Sequence, residues 1–225
     1  MVKLGNWLFH FRNFLFPLFY IALFIPSPPV FENTCTSSVT GLILILAGIT
    51  VRCITIGLVY IVRGGNKREI YAEGLVTEGI YSLCRNPMYL GNLLILLGFG
   101  FFVDSLIFIL IFFPLFVFIY SSIIKAEEAF LMNKFGKDFE DYRKTTNSIF
   151  PDLRNISRAF KGHTFKWKKV LSKEHNSLFV YACGILLILL YHDQIDLKTM
   201  IVIFITISLV YGIIKYLKIN HYLDE

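Results

Sequence analysis

Residues 79–91 read Gly79-Ile80-Tyr81-Ser82-Leu83-Cys84-Arg85-Asn86-Pro87-Met88-Tyr89-Leu90-Gly91. This polar turn stands between two apolar runs, at about 39–62 and 88–103, and leads straight into the second. Pro87 suits the first position of a helix, where its missing N–H costs nothing. Asn86 is a favoured N-cap, because its side-chain oxygen can accept from free backbone N–H groups one turn ahead. A helix therefore starts at Pro87 and runs on as membrane-type sequence. Its free N–H groups carry partial positive charge, and Arg85 beside them adds a full one. Such a helix start seats a carboxylate or a phosphate, here at the cytosolic face of a bilayer.

Working outward, further apolar runs fall at about 8–25, 105–124, 177–191 and 199–216. A crossing helix needs about 20 residues, with roughly 17 as the lower limit, so the runs at 88–103 and 177–191 must borrow flanking residues. Asp104 separates the third and fourth runs so closely that they form a helical hairpin. The distribution of Lys and Arg sets the sides. Segment 26–38 has none and turn 192–197 carries only Asp193 and Asp196 among charged and basic positions other than His192. Segment 63–86 carries Arg63, Lys67, Arg68 and Arg85, and 125–176 is richer still. The expected fold is all-α and polytopic, with about six transmembrane helices and both termini cytosolic. Residues 1–38 form a first span and external loop, and 39–151 a core of three spans with the cytosolic motifs. Residues 152–176 form a basic interfacial segment, and 177–225 a C-terminal hairpin.

Composition agrees. The chain is 56% hydrophobic and 17% charged, with 23 Phe and 12 Tyr, well outside the soluble norm and suited to a lipid-facing surface with aromatic belts. The net charge of +6 lies beside apolar spans, which points to anionic lipid headgroups and away from nucleic acid. Cys35, Cys53, Cys84 and Cys183 show no C-x-x-C spacing, and the five histidines form no ligand pattern. No structural metal or disulfide framework is expected. The first apolar run resembles a signal peptide, but Pro26-Ser27-Pro28-Pro29 follows it in place of a small-x-small cleavage site, so it reads as a retained span.

Few polar groups lie inside the spans, where a transporter would scatter them; Arg52 and Asn92 are the ones that do. Arg52 stands eleven residues before Arg63, about 16 Å at helical rise. An ionisable residue near mid-bilayer is a functional candidate by default, with snorkelling to the interface as the competing reading. The fourth helix should run past the membrane and stop at Gly136, a suitable C′ residue. Ala126, Phe130, Leu131 and Phe135 then share an apolar face. Glu127 and Glu128 point about 100° apart, so at most one enters a given pocket. Residues 153–171 mix Leu153, Ile156, Phe160, Phe165 and Trp167 with basic residues, a pattern for the membrane surface.

Three groups of residues carry a resemblance. They are Leu75-Val76-Thr77-x-Gly79-x-Tyr81; Arg85-Asn86-Pro87-x-Tyr89-x-Gly91; and Glu127-Glu128-x-x-Leu131-x-x-x-Phe135-Gly136 with Tyr142. In this order they resemble the isoprenylcysteine carboxyl methyltransferase and phospholipid methyltransferase family of membrane enzymes, over about residues 40–151. The family often has His where Asn86 stands; Ile80 occupies a common proline position, and Phe139 replaces a usual tyrosine. The resemblance implies S-adenosylmethionine as methyl donor, held in the cytosolic leaflet. No Gly-x-Gly-x-x-Gly follows a strand pattern here, in keeping with a site that is not a Rossmann fold.

The resemblance further implies a cofactor site made by Tyr81, Arg85, Asn86, Pro87, Tyr89, Gly91, Glu127, Glu128 and Tyr142. The methionyl carboxylate would sit at the helix start near Arg85, and Glu128 would hold the ammonium or steer the sulfonium. Tyr81, Tyr89 and Tyr142 would offer aromatic faces to positive charge, worth roughly 0.5–2 kcal/mol each. Glu128, Arg85 and Arg52 are the catalytic candidates. The acceptor would be a membrane lipid or a prenylated molecule: a prenylcysteine carboxylate, a phospholipid amine or another isoprenoid. The membrane would be the cytoplasmic one, or the endoplasmic reticulum in a eukaryote. An NADPH-dependent sterol-type reductase is the enzymatic alternative, and a transporter or scaffold the non-enzymatic one.

Overall fold

A computed structural model of the chain describes residues 1–59 and 70–223; Arg63, Lys67, Arg68 and the end of the expected 39–62 run lie outside the described residues. The helices are α1 (Val2–Ala22), α2 (Thr34–Leu58), α3 (Pro87–Phe102), α4 (Phe113–Phe135), α5 (Lys137–Thr145), α6 (Ile156–Phe160), α7 (Trp167–Tyr191) and α8 (Leu197–Ile219). Among the described residues there is no strand, as an all-α reading requires. Four stretches are long and apolar enough to cross a membrane: α2, Phe108–Phe135, α7 and α8. α3 is apolar but only 16 residues long. α1 has 21 residues and carries His10 and Arg12 near its middle.

Contacts divide the chain into two units, Met1–His163 and Thr164–Glu225. In the first, α2 and α3 run antiparallel and touch backbone to backbone. Gly41 and Gly48 on α2 lie against Gly98 and Gly91 on α3. A spacing of seven puts each pair on one helix face, two turns apart. Glycine there lets the helices approach closely where lipid supplies no hydrophobic drive. A Cβ at Gly98 would meet the Gly41 carbonyl oxygen, the Ile45 nitrogen and its Cγ1 all at 2.8 Å. This crossing brings Arg52 beside the first turns of α3.

The opposite side of the unit is α1 against α4, through rings of Phe16 and Phe19 at 5.3 and 4.9 Å from that of Phe116. Asp104 makes the expected hairpin turn. It adopts a left-handed φ of 58°, which Asp tolerates better than most residues. Its Oδ1 accepts from the N–H groups of Val30 and Phe31 at 2.9 and 3.1 Å, tying the α1–α2 linker to the turn. A π-helical stretch, Phe108–Phe112, then opens the long helix that continues as α4.

α4 does stop at Phe135, where Gly136 takes φ +51° and its N–H closes on the Met132 carbonyl at 2.9 Å. Leu131, Phe139, Tyr142 and Ala72 form a buried cluster under Phe130 and Phe135, so the foreseen apolar face of α4 packs against α5. α2 ends at Leu58, where Val59 turns extended, so Arg52 lies six residues from the helix end, about 9 Å at helical rise; Arg63, from which the expected depth is counted, lies outside the described residues.

The second unit is a helical hairpin. The Asp196 side chain caps α8 by accepting from the Thr199 N–H at 3.3 Å, which lowers its carboxyl below the usual range. Tyr211 donates to Asn176 at 2.9 Å, and its ring packs on that of Phe179 at 4.6 Å. α7 begins at Trp167, so the last part of the expected interfacial segment is already helical.

Candidate active site

The turn before α3 is where the sequence placed an anion site. Asn86 does stand at the N-cap position with Pro87 following, but its side chain makes no cap bond. Its Nδ2 donates instead to the Ser148 carbonyl and hydroxyl, both at 3.2 Å. The capping expectation is thus corrected, and the physical reason is competition. A neighbouring segment offers two acceptors, while the N–H groups of Tyr89 and Leu90 are taken by the Asn86 carbonyl at 3.1 and 3.2 Å. That segment, residues 146–148, runs along the turn as a strap. Asn147 and Ser148 carbonyls accept from the backbone N–H groups of Arg85 and Asn86, both at 2.9 Å, and Asp152 N–H donates to the Leu83 carbonyl at 3.0 Å.

Arg85 joins three elements. Its Nε and Nη2 donate to Oε1 of Glu128 at 3.0 and 2.7 Å, and Nη1 donates to the carbonyls of Arg143 at 3.2 Å and of Thr146. Those carbonyls belong to the end of α5, where unsatisfied C=O groups and the negative end of the helix dipole favour a cation. Ser148 Oγ lies 3.5 Å from the same Glu128 oxygen. The two side chains are only 9% and 16% exposed. A pair so shielded from water is held by charge-assisted bonds, and either charge alone would be costly there.

Glu127 takes the other direction. Its Oε1 accepts from the Tyr89 hydroxyl at 2.9 Å. The rings of Tyr89 and Tyr120 meet edge to face at 4.7 Å. Tyr120 Oη accepts from Asn92 Nδ2 at 2.8 Å, and Asn92 Oδ1 accepts from Arg52 Nη1. Arg52 is buried, with its Cγ packed over Gly91. The two glutamates, 100° apart on α4, therefore face different polar partners, and Glu127 also lines a shallow cleft with Ile70, Tyr71, Ala72, Phe130 and Leu131.

Of the residues named from sequence, Arg85, Asn86 and Glu128 meet directly, and Tyr89 meets Glu127. Arg52 reaches them through Asn92 and Tyr120. Tyr142 donates its hydroxyl to the Tyr81 carbonyl at 2.7 Å while its ring lies in the α4–α5 cluster. Both tyrosines are buried. The sequence missed Tyr120, although its place seven residues before Glu127 puts it on the same face of α4. It also missed Thr146 and Ser148, which act largely through backbone atoms and leave no pattern. Among the described residues no group of three or more His, Cys, Asp or Glu could hold a metal ion.

Cys84 is buried beside Arg85, and burial pushes its thiol up to about 11, against the opposing pull of the Asn86 N–H and the Arg85 charge. Only about one thiol in a few thousand is then thiolate near pH 7.5, and the thiolate is the reactive form. A water-soluble iodoacetamide should therefore label exposed Cys35 and spare Cys84 until the protein is denatured. Mass spectrometry reads the difference; early labelling of Cys84 would show that the turn opens in the native state.

Comparison with known proteins supports a relationship over the middle of the chain. The cobalt-zinc-cadmium resistance protein CzcN of Cupriavidus metallidurans is 40% identical over 79 residues, covering 35% of this chain and 36% of that protein. The nickel-cobalt-cadmium resistance protein NccN of Alcaligenes xylosoxydans xylosoxydans is 35% identical over 79 residues, covering 35% and 37%. The protein-S-isoprenylcysteine O-methyltransferase of Schizosaccharomyces pombe is 41% identical over 81 residues, covering 34% and 33%. The chain thus spans about a third of the length of these relatives. No solved structure matches it. The stretch that holds Arg52, the Arg85–Gly91 turn and both glutamates, residues 36–138, matches the phospholipid methyltransferase family.

Proposed function

We propose that the protein is an integral membrane methyltransferase that uses S-adenosylmethionine and methylates a membrane-embedded acceptor, with six spans and the site at the cytosolic face. The observation that carries this reading is the Arg85–Glu128 pair, set at the start of α3 inside the stretch similar to methyltransferases. An ion pair shielded from water is a charge template for a zwitterion. An amino acid headgroup can put its carboxylate on Arg85 and its ammonium on Glu128 and leave the net charge of the site unchanged. The donor set present therefore fits the methionyl end of the cofactor. Tyr89 and Tyr120 supply aromatic faces nearby, which favour positive charge.

When bound, the cofactor supplies an activated methyl group on a sulfonium. The chain's own task is alignment, and fixing donor and nucleophile in place supplies much of the rate in such transfers. The Arg85 anchor to α5 and the strap holds the start of α3 rigid, and the Gly91 contact keeps Arg52 beside it. A carboxylate acceptor needs no base. An amine or phenol acceptor must lose a proton, and Glu127 and Glu128 are the carboxylates placed to receive it. The acceptor, a prenylcysteine carboxylate, a phospholipid amine or another isoprenoid, would enter sideways from the bilayer.

The test is thermal unfolding of the detergent-purified chain titrated separately with S-adenosylmethionine, S-adenosylhomocysteine and NADPH. One-site linkage gives about 2.7 kcal/mol of stabilisation at a hundredfold excess over the dissociation constant. Saturable shifts with the first two are expected. A shift with NADPH alone would replace this reading by a reductase, and silence from all three would favour a transporter or scaffold.

A further inference from the structure

Residues 146–163 contain the strap that holds Arg85 and Asn86, and the same segment carries an exposed apolar edge. Phe150, Leu153, Ile156 and Phe160 are 79%, 62%, 48% and 45% exposed, while Ala159 is fully buried. Leu153, Ile156 and Phe160 recur every three or four residues along the short helical turns Leu153–Asn155 and Ile156–Phe160, Phe150 precedes them across Pro151, and Ala159 is turned inward where α6 packs on the Gly79–Ser82 turn. Exposed aromatic and aliphatic side chains in a row mark a surface that binds something.

Charge identifies the occupant. From Leu153 to His163 the chain has Arg154, Arg158 and Lys161 and no acidic residue, and it continues through Lys166, Lys168, Lys169 and Lys173 before Glu174. Asp152 neutralises only Arg154, by an exposed pair at 2.9 Å. An apolar stripe with basic residues interleaved fits the headgroup boundary of an anionic leaflet. A soluble acidic partner would leave the four apolar side chains unburied.

We propose that residues 150–161 dock on an anionic lipid surface and that docking orders the strap, so that leaflet charge controls the site. The link is covalent and short. The Thr146 carbonyl binds Arg85 and Ser148 binds Asn86 and approaches Glu128 immediately before the docking segment, and the Asp152 N–H binds the Leu83 carbonyl within it. Fixing Phe150 and Leu153 in the headgroup region removes freedom from the segment whose carbonyls position Arg85. The docking part stands independently; the control of cofactor affinity rests on the methyltransferase reading.

The full chain in nanodiscs of phosphatidylcholine, with and without phosphatidylglycerol, provides the test. Hydrogen exchange of amides 146–163 should slow at least about tenfold in the anionic discs. Phe150→Ser combined with Leu153→Ser and Phe160→Ser should abolish that protection, and Lys161→Glu should reduce the difference between the two lipids. Equal exchange in both discs, or protection by inorganic phosphate added to neutral discs, would overturn docking to a leaflet. The apparent dissociation constant for S-adenosylmethionine should fall at least about threefold in anionic discs, as expected when a binding-competent population rises. Unchanged affinity alongside slowed exchange would overturn the control but leave docking intact. No cofactor binding in either disc would sink the methyltransferase reading and, with it, the control.

Discussion

Arg85→Ala is expected to destabilise the protein by about 3 kcal/mol and to abolish stabilisation by S-adenosylmethionine. The loss leaves Glu128 charged and mostly shielded, and it strips donors from the Arg143 and Thr146 carbonyls. Breaking a buried pair typically costs 3–5 kcal/mol; the lower end applies because Glu128 keeps 16% exposure. Glu128→Gln should cost less, since an amide oxygen still accepts from Arg85, yet it removes the charge proposed to hold the ammonium. Adding Glu128→Gln to Arg85→Ala should recover roughly 1–2 kcal/mol, because contacting residues couple in double-mutant cycles. Thermal unfolding with and without cofactor measures both quantities. Unaltered stability in Arg85→Ala would mean that the pair and the strap do not hold the turn. Undiminished cofactor shifts in both single variants would remove them from the site.

The same residues show what a sequence can disclose. Pro87, Gly136 and Asp104 act through their own backbone preferences, so the start of α3, the end of α4 and the hairpin between them were legible. Arg85, Glu127 and Glu128 were legible as unusual charges beside apolar runs, but the direct Arg85–Glu128 ion pair was not. Partner choice was not legible. Asn86 is an equally good cap or amide donor, and only the strap, more than sixty residues away in sequence, decides between them. Gly57 stands one residue before the end of α2, but a lone glycine inside an apolar run is a weak stop signal. The α2–α3 crossing shows as glycines seven apart only once one knows that the two helices run antiparallel.

That crossing carries the other large effect. Gly98→Ala is expected to destabilise by about 3 kcal/mol, and Gly98→Leu to prevent normal folding. Overpacking a tight interface generally costs 1–3 kcal/mol, and here the added Cβ would meet backbone atoms of Gly41 and Ile45 at 2.8 Å. Backbone on a paired helix cannot rotate aside, so the helices must separate along their whole contact. In Gly91→Ala the Cβ would meet Arg52 Cγ at 2.6 Å and the Gly48 carbonyl oxygen at 2.9 Å, a backbone contact of the same kind. The expected loss of stability is again about 1–3 kcal/mol, and because Arg52 must also shift away from Asn92, the proposed methyl transfer should fall more than stability does. Gly212→Ala on α8, where nothing lies within 4 Å, should cause no loss and serves as the control for helix propensity. Unfolding curves and activity of the three alanine variants, side by side, separate packing from positioning. If Gly98→Ala proved as benign as Gly212→Ala, the close α2–α3 approach would be wrong, and with it the placement of Arg52 beside α3.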